Sequence, residues 1–145
     1  MALDDPYIRK KLAFNAYKEK CDLKARVVAV LRGTIHDRDL ELIPQPSRAV
    51  LQGEIHEVIL TDETTSPGGK VTHVAYVAFL EFLNGGVLLT GDLLSLDGRA
   101  VGRLAGFGMS HFPNHMNLVV CGQLTSGEEM GVTLGSLAVF KMADP

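Results

Sequence analysis

No stretch of this 145-residue chain approaches the roughly 20 consecutive apolar residues a helix needs to cross a bilayer. An excess of positive charge is also missing. With 14 Lys and Arg against 17 Asp and Glu, the formal net charge is −3, which provides no electrostatic footprint for a polyanion and sets nucleic acid aside as a partner. Cysteine is nearly absent: Cys21 and Cys121 lie far apart, neither belongs to a CxxC or zinc-type spacing, and two free thiols are expected rather than a disulfide. The start, Met1-Ala2-Leu3-Asp4-Asp5, is acidic where a signal peptide is basic, so a cytoplasmic protein with no membrane partner is expected. Several catalytic fingerprints are lacking too. Ser66-Pro67-Gly68-Gly69-Lys70-Val71-Thr72 does not have the spacing that wraps phosphates, and no nucleophile elbow, H-E-x-x-H helix or dinucleotide-binding glycine motif occurs.

What is present reads as an ordinary globular chain, 46% hydrophobic and 21% charged, of a size suited to one domain over residues 1–145. Asp4-Asp5-Pro6 supplies a helix start, and Ile8, Leu12, Ala16, Tyr17 and Cys21 recur at helical spacing. This predicts an N-terminal amphipathic helix within residues 1–24, with Lys18, Glu19 and Lys20 on its solvated face. From Ala25 onward, valine, leucine, isoleucine and glycine dominate and turn signals come at short intervals, as in a meander or barrel. Strands are expected over 26–35, 40–43, 48–61, 71–83, 87–96, 99–110, 116–124 and 130–142. Together they predict a mainly β protein: a single antiparallel β-barrel of about seven or eight strands over residues 25–142.

Hairpin pairing leads to a candidate site. With Asp97-Gly98 as a two-residue turn, Asp92 faces Arg103; with Asn84-Gly85 as the turn before it, Glu81 and His73 fall on the same face. That face also carries Phe79, Val101, Phe107 and Met109, too apolar to be left in water, and is assigned to the barrel interior. Glu81, Asp92 and His73 are then the candidate acid–base residues, and Arg103, Phe79 and Phe107 the candidate ligand-binding residues. An apolar cavity that adjusts carboxylate and imidazole pKa values suits proton transfer. The opposite face of the strand from Arg99 presents Gly102, Leu104, Gly106 and Gly108, with room for the N-terminal helix or a neighbouring subunit.

A second candidate is the loop His111-Phe112-Pro113-Asn114-His115-Met116-Asn117, in which His111 and His115 offer imidazole nitrogens to a divalent metal, with His73 or Glu81 as a third ligand. Its H-F-P-N-H segment resembles loops of hot-dog-fold dehydratases and the H-x3-N element of cupin barrels. The other histidine and acidic positions of those patterns are missing, so no residue role is carried over. His36, and His56 beside Glu54 and Glu57, are read as parts of polar, solvated segments.

The leading functional expectation is a small-molecule-binding barrel performing isomerase-, cyclase- or lyase-type chemistry without a cofactor. Lipocalin-like and allene-oxide-cyclase-like barrels hold apolar ligands in such an architecture, an analogy of fold that assigns no activity. The alternatives are a non-catalytic homo-oligomeric assembly module and a metal-dependent enzyme built on the His111/His115 loop.

Overall fold

The computed structural model describes residues 15–143. In chain order its elements are β1 (Leu23–Val30), β2 (Thr34–Ile35), β3 (Leu40–Glu41), β4 (Ser47–Val50), β5 (Ile55–Thr61), β6 (Lys70–Val71), β7 (Val74–Phe82), β8 (Gly86–Leu89), β9 (Leu93–Leu96), β10 (Arg99–Gly108), β11 (Asn117–Gly122), the one-turn helix α1 (Gly127–Met130) and β12 (Leu137–Lys141). Seven of the strands close on themselves in the order β1-β12-β9-β10-β11-β5-β7, with β7 returning to β1. The barrel is mixed rather than purely antiparallel, because β11 runs parallel to β5. No helix among the described residues is long and apolar enough to cross a membrane.

The parallel pair follows from burial on both faces. Strands covered on both sides read as continuous apolar runs rather than alternating ones, and Val58-Ile59-Leu60 and Leu118-Val119-Val120 are such runs. Their inner side chains, Val58, Leu60, Leu118 and Val120, join a core with Phe82, Phe107 and Phe140. Their outer side chains, Ile59 and Val119, lie under the two-stranded β3–β6 ribbon, where Leu40, Leu42, Val71 and Val74 complete a second apolar cluster. Gly106 and Gly108 make this ribbon possible: a Cβ at either would meet Leu42 or Leu40 at 2.8 Å. The glycine-rich face expected to receive the N-terminal helix or another subunit is thus filled by the chain's own leucines.

Several expectations give way to the observed topology. The predicted N-terminal helix is not seen: residues 15–22 are non-helical and Leu23 already begins β1, while its first half lies outside the described residues. Asn84-Gly85 does not turn a hairpin. β7 pairs with β1 and β5, and β8 pairs with β4 in a separate ribbon that adds Val50 and Leu88 to the core. The Asn84 side chain instead ties the loop to β1, accepting from the Lys24 N–H at 2.9 Å and donating to the Asp22 carbonyl at 3.0 Å. The segment between the last two predicted strands holds the one-turn helix α1, where Ser126 and Glu129 form a reciprocal capping box, and the last strand, expected from 130, begins only at Leu137.

The Asp97-Gly98 turn forms as expected, both residues at positive φ (49° and 81°), with Leu96 opposite Arg99. Two bulges then re-phase β10. The first, between Ala100 and Gly102, slips the pairing so that Arg103 faces Leu93 instead of Asp92; the second, between Leu104 and Gly106, shifts the pairing with β11. Leu104 and Phe107 consequently face the core while Arg103 is exposed.

Candidate functional site

The four polar residues expected to converge inside the barrel lie apart. Asp92 is buried in the turn before β9, where its Oδ2 accepts from the Leu89 N–H (3.0 Å) and contacts Lys20 Nζ at 2.8 Å. Lys20, expected on a solvated helix face, is itself only 6% exposed. Arg103 donates from Nη1 to the Gly91 carbonyl (3.3 Å) at the surface. Glu81 sits on the outer face of β7, held by Arg26 of β1 through Nε (2.8 Å) and Nη2 (2.7 Å). His73 is exposed, its ring 5.2 Å edge-to-face from His36. Of the apolar candidates, Phe107 is fully buried among the core side chains and Phe79 stands half-buried on the outer face.

A different set does converge, on the outer face beyond the β3–β6 ribbon. Alternation along β5 turns His56, Val58 and Leu60 towards the interior and Glu57 and Ile59 outward. The parallel register places Asn117 beside Glu57, and β7 places Phe79 on its other side, so these three residues lie in line across three strands. Asn117 Nδ2 donates to Glu57 Oε1 at 2.7 Å, fixing a carboxylate that is only 7% exposed. The loop over 109–116 brings down His115, whose Nε2 lies 3.3 Å from the same carboxylate oxygen and whose ring meets Phe79 edge-to-face at 4.9 Å.

The hydrogen-bonding partners set the tautomer. Asn114 Nδ2, a donor only, reaches His115 Nδ1 at 2.8 Å, so Nδ1 accepts and the ring hydrogen on Nε2 is directed to the Glu57 side. His115 Nε2 and Asn117 Oδ1 are nevertheless buried without a hydrogen-bond partner among the described protein atoms. His111 stacks on His115 at 5.0 Å between ring centroids, and its Nε2 accepts from Arg38 Nη2 at 3.2 Å. The array therefore runs from buried Glu57 through His115 and His111 to the half-buried Arg38.

His56 anchors this loop from the barrel side. Its Nδ1 accepts the Met116 N–H at 3.0 Å, while the Glu57 N–H donates to the Met116 carbonyl at 3.0 Å. With Nδ1 accepting, the ring hydrogen sits on Nε2 and is donated to Glu54 Oε1 at 2.8 Å, so the contact joins a neutral imidazole to a carboxylate. Burial holds the His56 pKa below that of a free imidazole; Glu54 opposes this, and Arg48 and His115 reinforce it. Burial pushes the Glu54 carboxyl up, but the Leu51 N–H, His56 and Arg48 outweigh it and hold that group below its ordinary value.

The sign follows from linkage. A histidine with a lowered folded-state pKa binds its proton more readily when unfolded, so its contribution to stability is complete above about pH 6.5 and declines as the pH falls below that. Unfolding free energies between pH 5 and pH 7 are expected to show a positive slope from this residue, bounded at about 1.4 kcal/mol per pH unit for one proton. His56→Gln should flatten it in urea titrations; an unchanged slope would contradict the assignment.

Glu57, Asn117, His56 and Arg38 were not singled out by sequence reasoning. The signal that points to Glu57 is a lone carboxylate inside a doubly buried apolar run, where it needs a partner. The His111/His115 pair was visible as a dense loop. Among the described residues, however, no three His, Cys, Asp or Glu side chains gather into a metal-binding group. Both cysteines are free, and Cys121 Sγ lies 3.3 Å from the Glu63 carbonyl.

Fold and cluster together define a small mixed β-barrel protein with a buried carboxylate–imidazole array on its outer face. The chain belongs to a family of unknown function, DUF6917, whose family model matches residues 17–141 and so spans the barrel and the whole array. No curated protein matches it, and no solved structure does.

Proposed function

We propose that the protein binds a small polar molecule at the Glu57–His115–Asn117 cluster, with His115 and His111 as the groups that exchange protons with it. The proton-transfer classes expected from the sequence, isomerisation, cyclisation and elimination, stay with this reading. They move from the barrel interior, which Phe82, Phe107 and Phe140 occupy, to the outer face. The observation that carries it is the under-satisfied pair beside Glu57: His115 Nε2 approaches the carboxylate at 3.3 Å without making a hydrogen bond, and Asn117 Oδ1 has no partner among the described protein atoms. His115 Nε2 is a donor and Asn117 Oδ1 an acceptor, both buried. Leaving a buried acceptor such as Asn117 Oδ1 unmatched costs about 1–3 kcal/mol, and a guest bearing both a donor and an acceptor engages the two groups together. Residues 111–114, which precede His115, are exposed, so the reading has the guest enter on their side.

A primary amide and a hydroxyl each carry both functions. Benzamide and cyclohexanol, followed by ligand-observed NMR, are the probes. The reading expects binding of at least one of them, weakened by about tenfold or more in Glu57→Gln and His115→Phe, where the acceptor charge or the donor is lost. Thermal unfolding of each variant separates lost binding from lost fold. Absence of binding by either probe, or binding indifferent to both substitutions in folded protein, would remove the reading.

A further inference from the structure

We infer that the cleft between residues 38–44 and the loop that carries His111 is a subsite for a carboxylate with a short apolar body, anchored by Arg38. This inference deepens the reading above, because it names the chemical class of the molecule whose polar end would meet the histidine pair. The cleft has a volume of about 500 Å3, and its accessible apolar surface comes from Ile43, Pro44 and Met109, with the buried Leu40 and Leu42 behind them. That size suits a molecule of a few to a dozen heavy atoms. Arg38 and Ser110 line it as well.

Arg38 is the group that selects the charge. Its Nη2 is 3.3 Å from Ser110 Oγ and 3.2 Å from His111 Nε2, both neutral partners, and among the described residues no carboxylate pairs with it. A guanidinium has five N–H donors in a planar fork, and with Nη2 engaged by Ser110 and His111 the hydrogens on Nη1 remain free to donate to a carboxylate oxygen beside the full positive charge. The same contact settles the neighbouring imidazole. Because arginine only donates, His111 Nε2 accepts and its ring hydrogen lies on Nδ1, a further donor at the rim.

The surrounding charges limit the guest to one negative charge. Asp39 and Glu41 also line the cleft. Lys70 engages Asp39 at 3.1 Å and lies in register with Glu41, so it offsets part of their field but supplies no second free cation. A dianionic phosphate would face these acids with only Arg38 in support. A monocarboxylate is matched by the single guanidinium, and its alkyl body by the isoleucine, proline and methionine surface.

Hexanoate, hexanol and hexylamine share one chain and differ in the charge of the head, so their binding to the full-length protein isolates that charge. Hexanoate is expected to bind at least tenfold more tightly than either analogue. Arg38→Gln should reduce its affinity by tenfold or more, and Arg38→Lys should restore part of it, since the charge returns without the fork. Benzamide or cyclohexanol binding at the Glu57 cluster should persist in Arg38→Gln. Equal binding of the three chains, or hexanoate binding indifferent to Arg38→Gln, would overturn the subsite. If those results came while benzamide or cyclohexanol binding still depended on His115, the subsite would fail and the cluster would stand. The reverse pattern, with hexanoate dependent on Arg38 and neither neutral probe dependent on His115 or Glu57, would retain the subsite and remove the cluster.

Discussion

Asp92→Ala is expected to destabilise the protein by about 3–5 kcal/mol, a large share of the 5–15 kcal/mol that holds a typical domain together. Asp92 and Lys20 are 1% and 6% exposed and 2.8 Å apart. Removing the carboxylate strands an ammonium with no charge partner in a setting where water cannot replace it, and it frees the Leu89 N–H that the same carboxylate accepts. The pair is also imperfectly satisfied: Lys20 Nζ and Asp92 Oδ1 each lack a hydrogen bond to the described protein atoms. It should therefore add little over an apolar replacement. Lys20→Met together with Asp92→Leu is expected to recover most of the loss, a strong coupling between the sites. Urea denaturation of the four proteins of this cycle checks both statements. Additive losses would mean that the two charges do not depend on one another.

Phe107→Ala carries the second large effect, about 3–5 kcal/mol, because it removes a ring from the centre of the barrel core. Phe107 is fully buried, and its neighbours on β10 are fixed by the Leu104/Gly106 bulge and by Leu42 seated over Gly106. The cavity can close only if this packing shifts. An interior binding cavity, the expectation from hairpin pairing, makes Phe107 a ligand contact. With the site on the outer face, Phe107→Ala should lower stability while leaving the affinity for hexanoate within about twofold, measured well below the variant's melting temperature. A variant of normal stability, or one that loses hexanoate binding while folded, would return the ligand to the barrel interior.

Legibility in the sequence followed the range of the interactions. The β9–β10 turn was readable because Asp97-Gly98 encodes its own positive-φ geometry. The capping box of α1 is equally local, written as Ser126 three residues before Glu129, within the segment expected only to be the turn between the last two strands. The two bulges of β10 are not local. They depend on what β9, β11 and the β3–β6 ribbon require of the strand, and one inserted residue moves every later side chain to the other face. The predicted Asp92–Arg103 pair was lost at the first of them.

The candidate site was half legible for the same reason. His111 and His115 lie in one loop and announce themselves, whereas Glu57 and Asn117 come from strands 60 residues apart. Only the parallel β5–β11 register makes them neighbours, and parallel pairing is the closure that a chain rich in hairpin signals least suggests. His56 and Glu57 looked like a solvated stretch because Glu54, His56 and Glu57 are polar neighbours in sequence, yet β5 buries His56 on one face and Glu57 on the other. Lys20 followed a helical period that the described residues do not adopt.

The location of binding tests the outer-face site most directly. Amide chemical-shift mapping of the protein titrated with benzamide should place the largest changes at Glu57, Asn117 and residues 111–116, with the core positions Leu94, Leu104 and Phe107 nearly still. Changes centred on those core positions, or none at the Glu57 cluster at saturating benzamide, would contradict it.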